Sequence, residues 1–117
     1  MNVEDLRAAC LRLKAVEESF PFDNETLVFK VMGKMFAIIP LENETPSISL
    51  KCDPDRAIEL REDFEGIKAG WHLNKKHWNS VEGELVPAEL VVELIKHSYD
   101  LVVSGLTKKA QKELDEL

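Results

Sequence analysis

The run Pro46-Ser47-Ile48-Ser49-Leu50-Lys51-Cys52, followed at once by Asp53-Pro54, constrains the fold more than any other stretch of the chain. Ile48, Leu50 and Cys52 fall on one side and Ser47, Ser49 and Lys51 on the other. That period of two marks an extended strand with one buried face. Asp53 then offers an N-cap carboxylate, and Pro54 has the ring suited to a first helical position. A strand must therefore give way to a helix within one residue. A sheet that is apolar on one side only needs a second layer to cover that side.

Leu27–Val31 and Met35–Leu41 read as two further strands around the turn Met32-Gly33-Lys34, where Gly33 is free to take positive φ. Leu27, Phe29 and Val31 point inward, which turns Lys30 outward. Between Ser19 and Phe22 the chain leads into the sheet, with Phe20 and Phe22 alternating around a proline as an edge segment would. The first helix is expected from about Asn2 to Lys14, capped by Asn2 with Asp5 three residues on. Val3, Leu6, Cys10 and Leu13 form its buried stripe. A second helix from Pro54 to about Glu62 is expected to bury Ala57, Ile58 and Leu60 or the stem of Arg61. Gly66 and Gly70 punctuate a loop, and Trp71–Leu73 and Trp78–Val81 read as short extended pieces pairing across Asn74-Lys75-Lys76. Pro87 opens the main core helix, whose apolar face is Leu90, Val91, Leu94, Ile95, Leu101 and Val102 and which ends at Gly105. Thr107 caps a short terminal helix, Lys108–Leu117, expected to fray. The expected fold class is α+β, an antiparallel sheet with helices packed on one face.

Length and charge bound the function. A chain of 117 residues, 44% apolar and 32% charged, is one globular domain, 1–117. Met-Asn-Val-Glu-Asp lacks the basic and apolar regions of a signal peptide, and no apolar run approaches the ~20 residues of a membrane span. A cytoplasmic protein without membrane contact is expected. Cys10 and Cys52 lack metal-ligand spacing and fall on apolar faces, so they read as buried free thiols. A net charge of −7 disfavours non-specific attraction to nucleic acid, so any anion site must rest on a local patch.

Such a patch is suggested by the stretch Gly66–Val81, which holds both tryptophans, two of the three histidines and no Asp or Glu, although acids outnumber bases 22 to 15 over the chain. Lys68, Lys75 and Lys76 lie in it, while Lys30, Lys34 and Lys51 lie on or near the polar sheet face. Lysines interleaved with aromatics suit phosphate contacts; a solvated sheet face that discourages edge pairing is the plainer reading. His72, His77 and His97 show no third-ligand spacing for zinc, and His97 reads as a core-edge histidine with a hydrogen-bond partner. Trp71 and Trp78 suit either stacking on a ligand or closing the end of the sheet.

Several segments together resemble the MmcQ/YjbR family: Phe20-Pro21-Phe22-Asp23, Thr26–Val31, Gly33–Ala37, Leu50–Pro54, Leu73–Asn79 and His97–Val103. The likeness runs nearly the whole chain in the expected order, and His77-Trp78-Asn79 and Ser98-Tyr99-Asp100-Leu101-Val102 are its most specific parts. Where family members commonly have His-Met-Asn-Lys, this chain has His72-Leu73-Asn74-Lys75. The resemblance implies a CyaY-like or double-wing sheet, and a DNA-binding role that members are given largely by structural similarity to a phage transcription factor's double-wing domain. It carries over no catalytic residue. It does imply that Lys75, His77, Trp78 and Asn79 belong to the family's characteristic surface or to its support.

The resulting expectation is binding of DNA or another polyanion through the open sheet face. Lys30, Lys34, Lys51, Lys75 and Lys76 would contact phosphate, and Trp71, His77 and Asn79 would line the site. The partner would be double-stranded DNA, held weakly and salt-sensitively by a monomer or weak dimer, with no cofactor, metal or catalytic residue. The alternatives are a small-molecule or protein-binding module with a pocket near Trp71 and Trp78, an enzyme built on His72 or His77, and dimerisation across the sheet.

Overall fold

Alternating apolar residues in the middle of the chain can be buried only if their strands lie side by side, and in the computed structural model they do. Residues 1–70 and 73–117 are described. In chain order the elements are α1 (Val3–Leu11), β1 (Val16–Ser19), β2 (Thr26–Val31), β3 (Lys34–Pro40), β4 (Ser47–Lys51), α2 (Pro54–Asp63), β5 (Ile67–Ala69), β6 (Trp78–Glu82), α3 (Ala88–Ser104) and α4 (Lys108–Asp115). The strands form one sheet in the order β1-β2-β3-β4-β6-β5, antiparallel at every pairing. Among the described residues, all four helices feed one core on one face of that sheet. The architecture is α+β, as expected.

The β2–β3 hairpin closes through Met32 and Gly33, at φ 50° and 79°, with Val31 paired to Lys34. Positive φ at both central residues is the mark of the mirror-image turn whose twist matches that of its strands. Further along, the register slips: Phe29 pairs with Ala37 but Lys30 pairs with Met35, leaving Phe36 as the extra residue of a bulge. The bulge breaks the period of two, so the adjacent Phe36 and Ala37 both enter the core. It also turns the Phe36 carbonyl toward α3, where the buried Ser98 hydroxyl donates to it at 2.6 Å and accepts the Lys51 N–H at 2.9 Å. One small side chain thereby ties the main core helix to β3 and β4.

Helix ends follow local chemistry. Asn2 and Asp5 make a reciprocal capping box on α1, Asp53 accepts from the Arg56 N–H at the start of α2, and the Thr107 hydroxyl accepts from the Ala110 N–H at α4. α4 is anchored by Leu114, which is buried in the core. Cys10 and Cys52 are free and buried, and burial pushes the Cys10 thiol up to about 12 and the Cys52 thiol upward too. Neither is poised as a nucleophile.

Four expectations need correction. α1 ends at Leu11, because Ala15 turns the chain at φ 61° to admit β1, which was not foreseen. That edge strand lies before Pro21, and Phe20 and Phe22 stand exposed in the connection beyond it. Ile58 is 52% exposed, because α2 covers the narrow outer end of the sheet at β5 and Ala57 and Leu60 suffice for that. Finally, β6 pairs with Ile67–Ala69, a strand not read from the sequence. The expected partner, Trp71–Leu73, falls partly on Trp71 and His72, which lie outside the described residues.

Candidate functional site

The second face of the sheet carries Thr26, Val28 and Lys30 of β2, Met35, Ile38 and Pro40 of β3, Ser47, Ser49 and Lys51 of β4, and Trp78 and Ser80 of β6, as the registers dictate. It is less polar than alternation alone suggests. Val28, Ile38 and Trp78, at 0%, 8% and 9% exposure, are buried yet belong to no part of the helix-covered core. A cavity of about 560 Å³ opens on this face. Its floor is Thr26, Met35, Ile38, Pro40, Ser47, Ser49 and Ser80. Phe22 and Asp23 from the β1–β2 connection, Asn43 from β3–β4 and Leu73 from β5–β6 make its walls. The Asn43 amide donates to Ser47 Oγ at 2.9 Å, fixing one corner.

The five lysines expected at the site lie toward the opposite end of the sheet, but Lys34 is not on its open face, because it pairs with Val31, whose side chain enters the helix-covered core. Lys30 and Lys34 flank the β2–β3 turn, Lys51 ends β4, and Lys75 and Lys76 immediately precede β6. Lys34 and Lys51 border a shared depression with Met35 and the C-terminal turn of α3, at Leu101, Val102 and Gly105. That helix has no basic residue in its own last turn, so its negative end attracts these two cations. Lys30 faces Glu17 across the β1–β2 pair. Lys75 and Lys76 are exposed on a loop that is held from below: the Arg61 guanidinium donates to the Lys75 carbonyl, and Asn74 Oδ1 accepts from the Lys76 N–H at 3.0 Å.

The remaining expected residues serve as framework. Asn79 is 2% exposed on the helix-covered face, where its Oδ1 accepts from Arg61 Nε at 2.6 Å and its amide donates to the Ala57 carbonyl at 3.3 Å. It sits between α2 and β6 and does not line the open face, because its neighbours Trp78 and Ser80 take that side. His77 is half-buried, and its carbonyl accepts the Cys52 N–H at 2.7 Å, extending the β4–β6 ladder. Trp78 packs with its Cβ about where Gly70 comes closest; a Cβ added to Gly70 would stand 3.0 Å from it. Trp71, expected to line the site, lies outside the described residues, as does His72. His97 Nε2 accepts the Asp53 N–H at 3.2 Å at the start of α2. Arg61, named only for its stem, and Ser98, named only within a family segment, were given no bonding role from the sequence. Nothing in their local pattern separates them from a solvated helix charge and a helix serine.

Acids gather at the cavity end. Asp23 Oδ1 accepts from the N–H groups of Glu25 and Thr26 at 2.8 and 2.7 Å, and Oδ2 accepts from Thr26 Oγ1 at 3.1 Å. These bonds, the one from Glu25 foremost, hold the Asp23 carboxyl below its ordinary value. Asp23-Asn24-Glu25-Thr26 is not among the turns read from the sequence, although an Asp bonding N–H groups two and three residues on is a common turn signal. Glu25 is pushed the other way, first by its hydrogen bond with Glu42 and then by desolvation and like charge. A raised carboxyl destabilises the fold above its folded pKa and ceases to do so once protonated. Glu42→Gln is therefore expected to raise the urea midpoint at neutral pH and leave it unchanged at pH values below the carboxylate range. An equal gain at both pH values would contradict the pairing.

Among the described residues, no cluster of three or more His, Cys, Asp or Glu side chains forms a metal site, and no helix is long and apolar enough to cross a membrane. The geometry defines an α+β protein with a helix-covered antiparallel sheet whose second face holds a cavity toward one end and Lys30 and Lys51 toward the other. The chain belongs to the YjbR family, whose model matches residues 11–101. It is 41% identical to YbdF of Escherichia coli O157:H7 over 93% of this chain and 90% of that one. It is 30% identical to YjbR of Escherichia coli K12 over the full length of both. A crystal structure of the Deinococcus radiodurans protein DR2400, with a DUF419 domain, superposes with a TM-score of 0.91 at 46% identity, covering 97% of this chain and 88% of that one. A Pseudomonas syringae protein superposes at 0.75 with 25% identity, covering 86% and 98%.

Proposed function

We propose that this chain binds a polyanion, double-stranded DNA foremost, through the lysine-bearing end of its sheet. The observation that carries the reading is the convergence of Lys30, Lys34, Lys51, Lys75 and Lys76 from three separate segments of an acidic chain. Arg61 supports it by holding the Lys75 carbonyl, which limits the entropy lost when the loop meets a phosphate. The resemblance to the MmcQ/YjbR family, whose members are given a DNA-binding role by analogy with a double-wing domain, points the same way. Trp78 and Asn79 are buried, so in this reading they brace the surface and leave phosphate contact to the lysines. With a net charge of −7 the affinity is modest and falls steeply with salt.

The test is anisotropy of a labelled duplex across a salt series, with wild type and the double variant Lys75→Ala/Lys76→Ala. The double variant is expected to bind more weakly whatever the sequence and to lose about two from the salt slope. Unchanged affinity and slope would remove these lysines from the site. Absence of any salt-dependent binding by the wild type would end the reading.

A further inference from the structure

The cavity at the other end of the sheet is a different kind of place. Short side chains, Ser47, Ser49 and Ser80, make much of its floor, while the longer Phe22 and Leu73 rise at its sides. Ser49 is paired with Ile38 on one side and Ser80 on the other, so two hydroxyls stand next to one apolar patch in a single cross-strand row. Strands spaced ~4.8 Å apart place the β2 side about 14 Å from the β6 side, room for a bicyclic ring with a short tail. The volume of about 560 Å³ is that of a small-molecule pocket. Phe22 is 67% exposed beside it, apolar surface that the fold leaves uncovered. Among the described residues the one charged side chain lining the cavity is Asp23. Glu25 and Glu42 lie just beyond it, where β2 begins and β3 ends.

We propose that this cavity binds a small, flat aromatic molecule without negative charge, seated on Ile38 between Phe22 and Leu73, with Ser49 and Ser80 on its polar edge and any amine turned toward Asp23. The site differs from the lysine end in the sign of its charge and does not rest on the DNA reading, although Met35 borders both places. Asp23 Oδ2 has one hydrogen bond in the structure, which leaves it able to accept another from a ligand. An anion would meet Asp23, with Glu25 and Glu42 behind it and no lysine or arginine on the described walls.

Three probes that share one ring separate charge from shape: tryptamine, indole-3-acetamide and indole-3-acetate, titrated at millimolar concentration and followed by backbone amide shifts. Tryptamine and the amide are expected to move Thr26, Ile38, Ser49 and Ser80, with tryptamine about 2- to 5-fold tighter. The acetate is expected to leave these residues still. Asp23→Asn keeps an oxygen for the Glu25 and Thr26 N–H groups, and is expected to abolish the tryptamine preference while the amide binds as before. Ser49→Phe, whose ring fills the floor, is expected to lose tryptamine and the amide while its remaining spectrum stays folded. Acetate binding as tight as tryptamine at these residues would overturn the charge assignment. If no probe moves them, or if Ser49→Phe binds like wild type, the cavity is not the site. Neither result bears on the lysines, which the salt series tests separately.

Discussion

Phe36→Ala is expected to cost about 3–5 kcal/mol of unfolding free energy, read as a drop in the urea midpoint at unchanged slope. Phe36 is fully buried and is the extra residue of the β3 bulge. Its ring stands edge-on to Tyr99, centroids 5.5 Å apart and planes at 90°. Tyr99 in turn donates to the Lys14 carbonyl at 2.7 Å, so the ring pair joins β3, α3 and the end of the α1 connection. The bulge leaves no neighbouring side chain free to fill the space, since Ala37 beside it already faces inward. Against a typical total of 5–15 kcal/mol, the loss brings the chain close to unfolding. A loss under about 1 kcal/mol would mean that the core closes over the gap and that the bulge does not hold Phe36 in place.

Ser98→Ala removes a single oxygen and is nevertheless expected to cost about 1–3 kcal/mol. The hydroxyl is fully buried and serves two main-chain groups at once, accepting from the Lys51 N–H and donating to the Phe36 carbonyl. Without it, the Phe36 carbonyl and the Lys51 N–H each lose the bond that ties them to α3. Ser104→Ala is the control: it lies on the same helix, its hydroxyl also bonds a carbonyl, that of Leu101, but it is exposed, and the change is expected to stay within about 0.5 kcal/mol. Equal effects at the two positions, measured by thermal or urea melts, would show that the bridge between α3 and the bulge contributes nothing beyond a helix serine.

Elements with a strong local signature were legible in advance. Asn2, Asp53 and Thr107 cap helices as expected, Pro87 and Gly105 bound α3, and the hairpin turn falls at Gly33. Ile48, Leu50 and Cys52 face the core while Ser49 faces away from it, because side-chain direction in a strand is set by its period alone. The likeness to the MmcQ/YjbR family, seen in His77-Trp78-Asn79 and Ser98–Val102, was likewise legible before any coordinates. β1 and β5 were missed because each is short, at four and three residues, and owes its strand state to the neighbour it pairs with.

The division at the site has the same origin. That Lys30, Lys51, Ser49 and Ser80 leave the apolar side of the sheet follows from alternation, and the sequence alone determines it. Which of them stand together does not. The strand order β1-β2-β3-β4-β6-β5 sends Lys30, Lys34, Lys51, Lys75 and Lys76 to one end and gathers Ser47, Ser49 and Ser80 with Phe22 and Asp23 toward the other. The same order turns Asn79 inward to Arg61 and gives Ser98 its two main-chain partners. Those are contacts between residues 18 to 62 positions apart. Their formation depends on how the layers pack, and no local pattern carries that information.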